Sequence, residues 1–133
     1  MEPNNLIDQA VAVRISQPKA FADEHSTGPF AGVIVSVVEN KAVIDLETAV
    51  VFRGEKIVQL VATPSFERDH LTLAALDRGI PVSLTPITQL DIAEFGDDLT
   101  IAAARRSWVL SGDLMLAGTD APRLTESAPP VSR

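Results

Sequence analysis

The most informative pattern of apolar and polar positions in this chain runs over residues 57–87, where an apolar run, an amphipathic stretch and a second apolar run follow one another with almost no linker. Residues 57–62 have the Val/Ile/Leu composition of a buried strand. Thr63-Pro64 then reads as a helix start: Thr63 is the N-cap, Pro64 takes the first helical position, and Glu67 and Asp69 lie near the positive end of the dipole. Phe66, His70, Leu73 and Leu76, flanked by Leu71 and Ala74, form an apolar stripe at helical spacing. Arg78, Gly79 and Pro81 supply the stop. The pattern predicts a helix over 64–78. A return strand over 82–87 completes a crossover unit whose two strands should be parallel, or at least share one sheet.

Upstream, the apolar run over 10–15 predicts a first strand, ended by Gln17-Pro18 because the residue before proline avoids helical geometry. Residues 18–29 have turn-forming composition and predict a loop. The Val- and Ile-rich run over 30–39 suits a strand buried on both faces, and Asn40-Lys41 suits a tight turn. Over 42–52 the period becomes two, with Ile44 and Leu46 on one side and Asp45 and Glu47 on the other, so this strand is half exposed. Arg53-Gly54-Glu55 is a second turn, and residues 30–62 together predict a three-stranded antiparallel meander.

Residues 99–110 fit two patterns. One is a helix with Asp98 as N-cap and Gly112 as stop; the other is a hairpin turning at Arg105-Arg106. The hairpin is favoured, because 112–117 resembles a further hairpin. The expected fold is α+β: a flexible segment over 1–9, one domain over 10–118, and a disordered tail over 119–133 rich in Thr, Pro and Ser. Within the domain, a mostly antiparallel sheet of about six or seven strands carries the helix 64–78 on one face. The structural alternative is a small β-barrel plugged by that helix.

Composition narrows the function. The chain has 133 residues, the size of one domain, and only 5% aromatic residues, so its core must be built from Val, Ile, Leu and Ala. It has no Cys, which excludes disulfides, thiolate metal ligands and Cys nucleophiles. A formal net charge of −7 repels a phosphate backbone or an anionic bilayer, and Arg105-Arg106 is the only adjacent basic pair. The longest apolar stretch, over 30–38, is far short of the roughly 20 residues a spanning helix needs. The N-terminus has no positively charged, apolar leader. These features predict a soluble cytoplasmic protein with neither nucleic-acid nor membrane partners.

Candidate chemistry is sparse. His70 lies one turn after the free amides expected at the start of helix 64–78, and Ser65 lies among them, so the two suit an anionic ligand. Arg53 at its turn offers a third contact. These three residues are the candidate ligand-binding set. Asp23-Glu24-His25 and the acids Asp91, Glu94, Asp97 and Asp98 hold metal-competent oxygens, but neither has the spacing of a metal loop, and no metal is expected. Ser65, Ser83, Ser107 and Ser111 lack a nucleophile-elbow context, and no Gly-rich nucleotide loop is present, so no cofactor is expected. Residues 73–82, Leu-Ala-Ala-Leu-Asp-Arg-Gly-Ile-Pro-Val, resemble the helix-to-strand passage of many α/β units, including the end of the N-terminal domain of CRISPR integrases. The chain lacks that family's large helical catalytic domain, so the resemblance implies no residue role and no activity.

The leading expectation is a non-catalytic binding or assembly module that acts by self-association or through a protein partner, because Val/Ile-rich strands offer more apolar face than one helix covers. One alternative is a small hydrolase or ligand-binding enzyme with a pocket near the start of helix 64–78. The other is an acidic inhibitor of a basic partner.

Overall fold

The computed structural model describes residues 6–25, 28–96, 99–106 and 108–117. Six strands form a closed antiparallel barrel in chain order: β1 (Ala10–Gln17), β2 (Phe30–Val38), β3 (Lys41–Phe52), β4 (Glu55–Pro64), β5 (Ile80–Thr88) and β6 (Leu110–Leu116). Short helices α1 (Lys19–His25), α2 (Leu73–Arg78), α3 (Gln89–Phe95) and α4 (Leu99–Ala104) interrupt the strand order. The molecule is therefore a mostly-β closed barrel, and the open sheet with one long helix is corrected. Pairing of β1 with β6, from Val11↔Leu116 to Gln17↔Ser111, joins the first and last strands and leaves no free edge.

The meander β2–β3–β4 stands where the alternation put it. Arg53-Gly54 forms the two-residue β3–β4 turn with both residues at positive φ, the conformation favoured in tight hairpins. At the β2–β3 turn the positive φ falls on Glu39 rather than Asn40. Asn40 uses its side chain instead: Nδ2 donates to the Asp69 carbonyl at 2.8 Å, and Oδ1 accepts from the Leu71 N–H at 2.9 Å.

Helix 64–78 is shortened to its last part. Thr63 and Pro64 continue β4, paired with Ser83 and Val82, and the cap is Thr72, whose side chain accepts from the Ala75 N–H. Cross-strand pairing satisfies the chain through Pro64 better than an isolated first turn would. The predicted stop holds, with the Gly79 N–H donating to the Leu76 carbonyl. The crossover is overturned: β4 and β5 pair directly and antiparallel, and the segment between them is a long excursion at one end of the barrel. The loop expected over 18–29 contains α1, and the hairpin expected over 99–110 gives way to α4 followed by β6. The Ala-rich centre of 99–104 favours that helix.

Inward residues of all six strands fill the barrel, and each end is closed by side chains from outside it. At one end Leu6, Leu71, Ala75 and Leu76 complete the core, the last two contributed by the six-residue helix α2. At the other end Phe21 of α1, with no exposed surface, packs edge-on to Phe30 and Phe52. A second cluster lies on the barrel's outer wall, where Val43, Val61 and Ile87 alternate with inward residues and are covered by Leu99 and Ala102. The predicted tail over 119–133 and most of the segment 1–9 lie outside the described residues. Of that segment, Leu6 is buried and the Asp8 N–H donates to the Ile34 carbonyl.

Candidate functional site

Among the described residues, three concave regions lie where an excursion meets the barrel. The first is where α3 and α4 return to the wall. Thr88 and Asp91 form a capping box at the start of α3, and Arg106, just after α4, reaches into it. Arg106 Nη1 donates to Glu55 Oε2 at 2.8 Å, Nη2 meets Glu55 Oε1 at 2.6 Å and Asp91 Oδ2 at 3.0 Å, and Nε donates to the Pro86 carbonyl at 3.1 Å. Its side chain is 13% exposed. Burial alone pushes the Asp91 carboxyl up, but the Thr88 backbone and hydroxyl and the Arg106 guanidinium outweigh it and hold the group below the usual carboxylate range. Hydrogen bonding to Glu55 raises the Arg106 guanidinium against a smaller desolvation effect. A cavity of about 390 Å³ opens beside this cluster. With all three guanidinium nitrogens engaged, Arg106 acts as a clasp that ties the α3–α4 excursion to β4 and β5.

The second region is apolar. On β2, Val33, Val35 and Val38 face outward at 37%, 42% and 42% exposure. Val35 and Val38 border a cleft of about 410 Å³ between the barrel wall and the α3–α4 excursion, lined also by Val43, Ile92 and Leu99. Gln59 also lines it, and its Oε1 is buried with no hydrogen-bond partner among the described residues. The β2–β3 register shifts between Ile34 and Ser36, on either side of Val35 at this cleft.

The third region holds His70. It is exposed and lies in the segment between β4 and α2, not on a helix face, and lines a cleft of about 290 Å³ with Arg68 and Arg78. Ser65 is also exposed, at the start of the same segment, where its N–H donates to the Pro81 carbonyl; it does not line the cleft. Arg53 is elsewhere, at the opposite end of β4, a strand of 10 residues spanning about 30 Å. There its guanidinium lies 4.9 Å from the Trp108 ring centroid and 5.8 Å from that of Phe52. The fold thus groups Ser65 and His70 in one segment and separates both from Arg53.

Arg106 and Arg68 did not stand out in the sequence, whereas the β2 valines belong to the Val/Ile-rich run over 30–38 that did. Arg106 was visible only as half of a basic pair, and its partners come from 51 and 15 positions away. Of the acidic cluster, Asp91 is in the clasp, Glu94 lines the adjoining cavity, and Asp97 and Asp98 lie outside the described residues. His25 is tied down on α1, where Nε2 donates to the Val51 carbonyl at 2.6 Å. Among the described residues no three His, Asp or Glu side chains converge as metal ligands, and no helix is long and apolar enough to cross a membrane. No protein-family model, curated protein or solved structure matches this chain.

Proposed function

We propose that the protein is a non-catalytic binding or assembly module that works through protein contact, with a second copy of the chain as its first partner. The observation that carries this reading is the outward valine row of β2 beside an open apolar cleft. In a closed barrel, association through added strands is unavailable, so contact has to be face to face. The row is flanked in register by Asp45 opposite Val33 and Lys41 opposite Val38. A two-fold contact antiparallel along the row would set Lys41 of each copy against Asp45 of the other, which makes the surface self-complementary.

Light scattering over a range of concentrations tests the reading. A dimer is expected, abolished by Val35→Glu and weakened by Lys41→Asp. Adding Asp45→Lys to Lys41→Asp should restore it. A strict monomer at the highest concentration overturns self-association. The hydrolase reading draws less support, because Arg53 is a barrel length from Ser65 and His70. The acidic-inhibitor reading also draws less, because exposed acids occur at both ends of the barrel, Asp23 and Glu24 at one and Asp77 at the other, rather than on one face.

A further inference from the structure

We infer that the cleft at the α2 end of the barrel is a binding site for the phosphate group of a small molecule, held by Arg68, Arg78 and His70. The protein carries an excess of acid, yet two arginines and a histidine line this cleft, with Asp69 as the only carboxylate among its described lining residues. Neither arginine has an ion-pair partner among the described residues. This contrasts with Arg106, whose nitrogens are all engaged. Two guanidinium forks and an imidazole offer more donors than one carboxylate can accept, and match the three terminal oxygens of a phosphate.

The segment that presents them is fixed before any ligand arrives. Asn40 donates to the Asp69 carbonyl and accepts from the Leu71 N–H, so its side-chain amide brackets His70 as a paired strand would. The Asp69 N–H donates to the Phe66 carbonyl, a turn that fixes the backbone around Arg68. On the far side Gly79 ends α2 and places Arg78 at the rim. Ala75, Ile80 and Pro81 form a small apolar floor. The volume of about 290 Å³ lies at the lower end of the roughly 300–1,000 Å³ of small-molecule sites, so a compact phosphate ester fits better than a nucleotide.

The test is an amide-resonance titration of the intact protein with inorganic phosphate, glycerol 2-phosphate and, as a competitor, acetate at constant ionic strength. Phosphate and its ester should shift residues 68–72 and 78–81 saturably, with acetate weaker by about tenfold. Arg68→Gln and Arg78→Gln should each weaken binding by about tenfold, and Arg68→Lys by less. Arg53→Gln, at the opposite end, should leave it unchanged. Because Arg68 and Arg78 are exposed, these variants keep the fold, which their unperturbed remaining spectra will report. Absence of saturable shifts in this segment, equal binding of acetate, or indifference to both arginine substitutions would each overturn the inference. A monomeric protein that still binds phosphate would remove the self-association reading and leave this one standing.

Discussion

Arg106 and Glu55 meet as a two-pronged ion pair across 51 positions of sequence, Nη1 on Oε2 at 2.8 Å and Nη2 on Oε1 at 2.6 Å. The pair joins the chain just after α4 to the first residue of β4, and with Asp91 it fixes how the α3–α4 excursion lies on the wall. That excursion forms one side of the apolar cleft, so the clasp sets the shape of the proposed contact surface without belonging to it.

Replacing Arg106 with Gln should destabilise the protein by about 1–3 kcal/mol, because it leaves Asp91 and the Pro86 carbonyl partly buried with fewer donors. Lys, a single point donor, should recover less than half of the loss. Urea unfolding measures both. Equal stability of wild type and Arg106→Gln would show that the clasp contributes nothing net.

The clasp also predicts an acid limit. The Asp91 carboxyl titrates lower in the folded protein than in the unfolded chain, where it lies near 4. Its stabilisation is therefore complete above that unfolded value and is lost as pH falls through the folded one. Arg106, raised from an already high value, stays charged throughout this window. Asp91→Asn should lower stability at pH 7 and flatten its fall on going from about pH 5 to pH 2. A variant with the wild-type acid slope would assign that slope to other carboxylates.

Phe21 closes the barrel at the α1 end with no exposed surface. Phe21→Ala should cost about 3–5 kcal/mol. Trp108, the single tryptophan, packs at 5.8 Å from Phe52, which in turn packs against Phe21, so its fluorescence should report the loosening of that end. An unchanged unfolding midpoint would mean that α1 lies on the barrel without sealing it.

Gly112 sits where β6 closes against β1, opposite Ile15. A β-carbon there would run into the Arg14 carbonyl, which is backbone and cannot swing aside. Gly112→Ala should destabilise by about 1–3 kcal/mol or more, read as a lower thermal midpoint. Full tolerance of alanine would show that the seam relaxes.

How much was legible follows from the range of each interaction. The alternation over 42–52 and the apolar runs over 30–39 and 57–62 specified three strands, but the run over 30–39, expected to be buried on both faces, leaves Val33, Val35 and Val38 exposed, because a continuous apolar run does not mark which of its faces another element covers. The Arg78-Gly79 stop was local. The start of that helix was not, because Thr63-Pro64 satisfies a capping rule and a strand end alike, and only pairing with Val82 and Ser83 decides between them. α1 was hidden by turn-forming neighbours, and its role rests on Phe21 finding Phe30 and Phe52.

The sites divide in the same way. His70 and Ser65 were visible as residues close in sequence, and they do share a segment. Arg53 was grouped with them by chemical type alone, and a full strand separates it from them. By itself the sequence determined the strand runs, the turn at Arg53-Gly54, the apolar composition of the core and the acidic balance. Only the tertiary structure decided that the sheet closes on itself, that Arg106 is spent on Glu55 and Asp91 while Arg68 and Arg78 face a cleft, and that the valines of β2 are left uncovered. Periodicity and turn chemistry act over a few residues, whereas barrel closure and charge pairing depend on which distant strands meet.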